Sequence, residues 1–400
     1  MSAVIWDWVS LLLRWTHVML GIAWIGTSFH FIWLDASLRR EADQPEGVSG
    51  GSWMVHGGGF YHARKFLVAP PRLPKELHWF KYDAYFTWIS GFLLLAVVYY
   101  VGAEEFLIDP AVMPLSVPAA IAISIGGLAL GWLGYDALCK SKIGENTGLL
   151  ALCVFAMAVA AAYGFSQVFS GRAAYIHVGA FLGTIMAANV FFIIIPNQKT
   201  VVADLIAGRA PDLRLGKIAR QRSLHNNYLT LPVVLMMISN HYPLLYQRAD
   251  NWVYVAGILI LGGLVRHYIN SKDEGASGRR IQWLLPAAGL LAVVLIVSTF
   301  DFSQFGPKAD ANLPPVHFAE VEPIFQQRCE SCHSAKPTDS VYKAPPKGVM
   351  FDTPDQIKHM AQQIYRMTVL THTMPQGNKT AMTQEERDLI GRWIAGGAGD

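Results

Sequence analysis

Over its first three quarters the chain returns repeatedly to apolar runs of roughly 18–25 residues, and this feature constrains its fold more than any other. About 20 apolar residues in a helix span the roughly 30 Å hydrocarbon core of a bilayer. In that solvent only helices or closed barrels satisfy their own backbone. The runs lie at about 8–34, 84–102, 117–138, 147–168, 175–196, 226–247, 252–269 and 281–299. Pro232 and Pro286 fall inside two of them, which membrane helices tolerate better than soluble ones. Composition agrees: 15% of residues are charged, against about 25% in an ordinary soluble protein, and twelve tryptophans suit interfacial aromatic belts. The first run is too long for a signal peptide and lacks a basic leader, so a retained transmembrane helix is expected. The net charge of +3 gives no reason to propose a nucleic-acid partner.

The connecting loops set an orientation. Loop 36–83 carries Arg39, Arg40, Arg64, Lys65, Arg72, Lys75 and Lys81; loop 140–146 has Lys140 and Lys142; loop 197–225 has six Lys and Arg; loop 270–280 has Lys272, Arg279 and Arg280. The loops between them are poor in basic residues: none at 103–116, Arg172 alone at 169–174 and Arg248 alone at 248–251. Basic loops face the cytoplasm, so the alternation predicts eight spans with both termini outside. Residues 303–315 read as a linker and 316–400 as a small soluble α-domain. No repeat and no strand pattern is evident. The expected fold is all-α, an eight-helix transmembrane bundle over 1–302 followed by that small domain.

The polar segment carries the sharpest motif. Cys329-Glu330-Ser331-Cys332-His333 is the c-type haem attachment sequence. Two thiols add across the porphyrin vinyl groups, and the next residue places an imidazole beneath the iron. A zinc site would need two more ligands at matching spacing, and no second cysteine pair is present. Cys139 and Cys153 lie in apolar stretches and read as packing residues. The second iron ligand must come from downstream, among Met350, His359, Met360, Met367, His372, Met374 and Met382. Met374 is expected, with His372 its main competitor, because Pro375 fixes the irregular stretch around it. A thioether raises the potential relative to two histidines. The flanks resemble a class I cytochrome c. An amphipathic helix brings Val321, Ile324 and Phe325 to the attachment site, and the tail from Gln384 to Ile394 reads as the C-terminal helix, with Thr383 and Glu386 as its capping box. The resemblance implies one covalent haem c that passes single electrons, attached on the outer side of a bacterial inner membrane.

Ionisable residues inside spans are functional candidates because burying them is costly. The outer group, nearest the haem segment, comprises Arg14, His17, His177 and His241. The inner group comprises His30, His225 and His267, with Arg266. Three readings stand side by side: polar packing residues, ligands to a b-type haem in the bundle, or a site for an anionic substrate. His17 and His30 are separated by about 20 Å along a helix at 1.5 Å per residue, so they cannot serve one iron. His56-Gly57-Gly58-Gly59 could suggest an oxyanion hole, but no Gly-x-Ser-x-Gly elbow accompanies it; the glycines are read as permitting close backbone approach. Leu73 to Lys81 reads as an interfacial amphipathic segment.

The runs Gly21-x-x-Trp24-x-Gly26-x-Ser28-Phe29-His30-Phe31-x-Trp33-Leu34-Asp35, His56 to His62, His225-Asn226-Asn227-Tyr228 and Ser239-Asn240-His241-Tyr242-Pro243 resemble the membrane-bound cytochrome c urate oxidases of bacteria. The resemblance spans essentially the whole chain. It implies oxidation of urate to 5-hydroxyisourate, with water supplying the hydroxyl and electrons leaving through the haem. The acceptor would be a respiratory-chain partner such as a terminal oxidase or a soluble cytochrome. It secures no catalytic residue, so the histidine and arginine roles rest on the residues alone. The alternative is a respiratory electron-transfer subunit, linked to quinol or b-haem, without urate chemistry.

Overall fold

The computed structural model describes residues 3–40, 42–67, 70, 72–300 and 314–399. It is 69% helix and 5% strand. Among the described residues, seven helices are long and apolar enough to cross a membrane: α1 Val4–Ser37, α2 Tyr82–Tyr100, α3 Val117–Lys140, α4 Thr147–Ser166, α5 Gly171–Ile206, α7 Asn251–Asp273 and α8 Gly278–Val297. The stretch expected as a further span at 226–247 is carried by α6, Leu213–Ile238. Its first turns hold Arg214, Lys217, Arg220 and Arg222, and it stops at a tight turn over Ser239–His241. The charged start and early end keep α6 from matching the others in length of apolar run. Most of the expected linker, 303–313, lies outside the described residues.

The interior is built around α5, whose run from Ala173 to Val178 is continuously buried. Small residues let its neighbours close in. A side-chain carbon at Gly131 of α3 would come within 2.1 Å of the Phe181 ring, so glycine there sets the α3–α5 spacing. Pro232 of α6 sits against Gly262 of α7, where an added carbon would meet the proline ring at 2.7 Å. Outward faces stay apolar: Trp8, Leu11, Trp15 and Ile22 of α1 are all exposed.

The all-α expectation needs one correction. Residues 36–83 contain an antiparallel hairpin, β1 Val48–His56 with β2 Gly59–Phe66. Gly57 and Gly58 form its two-residue turn with φ of 57° and 79°, the left-handed pair that matches strand twist. Its base is pinned to the end of α1 by paired Arg39–Gly51 backbone bonds of 2.9 Å and a 2.6 Å Lys65–Asp35 ion pair. Gly50 lets the strand pass the Arg39 carbonyl. The strand signal was hidden because Gly50-Gly51 interrupts the alternation and Trp53, Val55 and Phe60 remain exposed. The segment from Leu73 to Leu77 forms no helix.

Residues 314–399 form a second hydrophobic core, with Val321, Phe325, Ile390 and Trp393 at its centre. Helix α9, Phe318–Arg328, packs there against α12, Gln384–Ala395; α10, Pro354–His359, and α11, Ala361–Ile364, lie between them in sequence. The Thr383–Glu386 capping box is formed as expected, and Thr353 with Gln356 makes another.

Candidate functional site

The attachment motif folds as one turn at the end of α9. Cys329 caps that helix, and the backbone N–H groups of Cys332 and His333 both donate to the Cys329 carbonyl. The two sulfurs are not joined to each other. His333 donates from Nδ1 to the Val349 carbonyl at 3.1 Å, which fixes the ring and leaves Nε2 as the outward nitrogen. Burial lowers the His333 pKa, opposed by that hydrogen bond, so the neutral ligand form is favoured. Burial pushes the Cys329 thiol up to about 12. Two unpaired cysteines followed by a fixed histidine, at the edge of a cavity, are the donors that a covalently attached haem would need.

The motif opens onto a cavity of about 1170 Å³. Of the seven downstream ligand candidates, Met360, Met367, His372, Met374 and Met382 line it, whereas Met350 and His359 do not. Met382 is almost wholly buried in the second core. Met374 is held by its own N–H to the Met367 carbonyl at 2.9 Å and by Arg387 on its carbonyl at 2.7 Å.

The opposite wall belongs to the bundle. It comes from two of the loops poorest in basic residues, through Glu105, Asp109, Ser170 and Arg172, and from the turn and short helix that follow α6, through Asn240, His241 and Gln247. Asn240 accepts from Tyr99 at 2.8 Å and from Arg172 Nε at 3.2 Å. The Arg172 guanidinium lies 5.3 Å from the Phe106 ring centre. An arginine beside carboxamides in a half-enclosed cavity can hold a planar anion and orient its carbonyl groups.

The sequence-predicted outer group is split by the structure. His241 lines the cavity. His177 is wholly buried and does not line it, since Ser124 lies at 2.6 Å from one ring nitrogen and the Ala173 carbonyl at 2.7 Å from the other. Tyr100 extends that chain to Ser124 at 2.8 Å. His17 packs between α1 and α2, 3.0 Å from the Thr87 carbonyl. Gly91 makes room for it, since an added carbon would stand 2.7 Å from the His17 ring. Arg14 is half-buried in α1.

The inner residues build separate networks. His225 pairs with the Tyr135 hydroxyl at 2.7 Å, and Asn189 bridges Tyr135 to Asn226. Arg222, 1% exposed, reaches Asp136 at 2.7 Å and Asn189 at 3.3 Å. His267 meets Tyr228 at 2.8 Å on the outside of the bundle, and Arg266 donates to Asn227 within it. His30 is exposed against Phe31 and Trp33. Each of His17, His177, His225 and His267 thus has a carbonyl or hydroxyl partner. Sequence reasoning did not single out Arg172, Asn240, Gln247 or Glu105; the only signals were an arginine in an otherwise neutral loop and polar residues clustered at one end.

Comparison with known proteins places the bundle. The family model described as urate oxidase N-terminal matches residues 3–299. No match is found among curated proteins or solved structures. The chain belongs to the urate oxidase N-terminal family, which gives it a urate-related function, that of an oxidoreductase acting on urate.

Proposed function

We propose that this member of the family oxidises urate at the junction of bundle and C-terminal domain, and delivers the electrons to a haem held by Cys329 and Cys332. The observation that carries the reading is the shared cavity. One wall holds the attachment cysteines, His333 and Met374, and the other holds Arg172, Asn240 and His241. Substrate bound on the second wall would lie directly beside the electron acceptor.

Urate is an anion near neutral pH. Arg172 supplies the compensating charge, and Asn240 and Gln247 offer amide groups to a purine edge. His241 is placed to take a proton as water adds to the ring. The reaction balances as urate plus water giving 5-hydroxyisourate, two electrons and two protons, without hydrogen peroxide. Bound there, a c-type haem supplies a one-electron acceptor. His333 and Met374 are the residues that would hold its iron. His177, Ser124, Tyr100, His17 and Arg14 do not line this cavity and have no part in the reading.

The same geometry supports the membrane arrangement. The loops expected outside, at 103–116, 169–174 and 248–251, all meet or flank the cavity, and basic loop 197–225 feeds the opposite end of α6. Counting α6 as a span gives eight, which returns the C-terminal domain to the side of the N-terminus. In this reading the chain sits in a bacterial inner membrane, with its haem domain periplasmic and a terminal oxidase or soluble cytochrome as acceptor. The lipid bilayer covers the exposed apolar faces.

The test is urate added anaerobically to oxidised membranes containing the protein. Reduction of the c-haem together with formation of 5-hydroxyisourate is expected. If neither occurs, the enzymatic reading fails. A pyridine haemochrome showing b-haem as well would turn attention to the relay alternative.

A further inference from the structure

The stretch that carries Met374 is held from both sides by the bundle, not only by its own domain. One residue before it, Thr373 donates to Gln247 Oε1 at 3.0 Å. Five residues after it, the Lys379 ammonium reaches Glu105 Oε1 at 3.0 Å and Asp339 Oδ2 at 2.5 Å. Between them Gly377, at φ +59°, passes so close that a side-chain carbon would stand 3.0 Å from the Glu105 carbonyl. Glu105 is 6% exposed, and its second oxygen, Oε2, has no partner.

The bundle side of this contact is firmly built. Glu105 lies on the turn Ala103–Leu107. Ser170 fixes that turn through its N–H to the Leu107 carbonyl at 3.0 Å and its hydroxyl to the Phe106 carbonyl at 2.7 Å. Gln247 follows the one-turn helix Pro243–Tyr246, whose Tyr246 carbonyl accepts from Asn251 at 3.0 Å. A carboxylate is buried at a domain junction at a net cost unless a cation pairs with it. Lys379 is that cation, and it sits on the loop of the expected iron ligand. Burial would lower the Lys379 pKa, but Asp339 and Glu105 raise it above the ordinary lysine range, so the ammonium stays charged.

We infer that Glu105 and Gln247 are positioning residues for the Met374 loop: by gripping Lys379 and Thr373, the bundle holds the thioether in place over the haem iron. The inference rests on the proposed haem site. It links the two halves of the molecule, since the turn that bears Glu105 also borders the substrate wall through Phe106 and Arg172. A bundle disturbed at that turn would loosen the iron's sixth ligand.

The experiment uses the full-length, detergent-solubilised holoprotein with Glu105→Gln, Gln247→Leu and their double variant, and Lys379→Met beside Lys379→Arg. The readouts are the near-infrared sulfur-to-iron band of the oxidised haem and the rate of carbon monoxide binding to the reduced haem. Loss of a charge-assisted contact is expected to speed carbon monoxide binding about tenfold in Lys379→Met and in the double variant, with a weakened band. Lys379→Arg should restore both. Covalent haem content reports whether each variant has matured. An unchanged band and unchanged binding rate in the matured double variant would overturn the inference. Met374→Ala distinguishes this from failure of the ligand assignment: if the band survives that change, another residue is the ligand.

Discussion

Replacing Arg172 by Gln tests the substrate wall most directly. The change removes the charge while keeping a polar side chain. Arg172 donates from Nε to Asn240 at 3.2 Å and lines the cavity, so a terminal nitrogen is the group it can offer an anion there. A hydrogen bond to a charged partner contributes about 1.5–3 kcal/mol. With 1.4 kcal/mol per tenfold, kcat/KM for urate should fall roughly 10- to 150-fold. Arg172 is half-buried in the first turn of α5, at the end of that helix, so the lower part of that range is favoured. The measurement is stopped-flow reduction of the c-haem across urate concentrations, with haem content and midpoint potential recorded on the same samples. Most of the loss should appear as a raised KM, because the charge attracts substrate and transition state alike. Arg172→Lys should recover part of it, short of the planar fork. A kcat/KM within about twofold of the parent, with haem intact, would refute the placement of substrate on this wall.

Other expected outcomes concern the remaining parts of the molecule. Met374→Ala should lower the haem potential and remove the sulfur-to-iron band, as measured by redox titration and near-infrared absorption. Glu386 forms a two-pronged pair with Arg328 at 2.9–3.1 Å. Burial alone would raise its pKa, but Arg328 and the Thr383 N–H hold the carboxyl below its ordinary range. A depressed carboxylate stabilises above its unfolded value, about 4.3, and that contribution disappears as pH falls through the lower folded value. Glu386→Gln should therefore cost about 1.5–3 kcal/mol at neutral pH, and the difference from the parent should shrink as pH falls below about 4.3 and vanish below the depressed folded value in acid unfolding followed by tryptophan fluorescence. Gly91→Ala would press on the His17 ring and should destabilise the α1–α2 contact by about 1–3 kcal/mol, seen as a lower melting temperature in detergent. Arg222→Met leaves Asp136 with Lys140 as its remaining ion-pair partner and removes a donor from Asn189; it should cost about 1.5–3 kcal/mol, with urate KM unchanged.

What was legible in the sequence was whatever depends on local pattern. Length of apolar run identified seven of the long helices, and the capping pattern at Thr383 and Glu386 located α12. The run of two cysteines and a histidine was legible as a motif, and the backbone folds it into one turn at the end of α9. The hairpin escaped because its glycines serve the approach to Arg39 and the turn at residues 57–58, not alternation. The substrate wall escaped for a different reason. Treating every intramembrane histidine as a candidate weighed the cost of burial but not the means of meeting it, and Ser124, Tyr135, Thr87 and Tyr228 meet it for four of them. Arg222 and His225 have their hydrogen-bond partners inside the bundle, as structural groups do, whereas Arg172, Asn240 and His241 line the cavity that also holds the attachment cysteines. Chemistry needs groups with unspent valence at an opening, and pairing across 39 to 90 residues decides which groups retain it. The loop-charge pattern and the cysteine motif were read independently, and the loops poorest in basic residues line the same cavity as the cysteines. That convergence favours a junctional substrate site over one at the inner end of α6, where electrons would have to cross most of the bundle to reach the attachment motif.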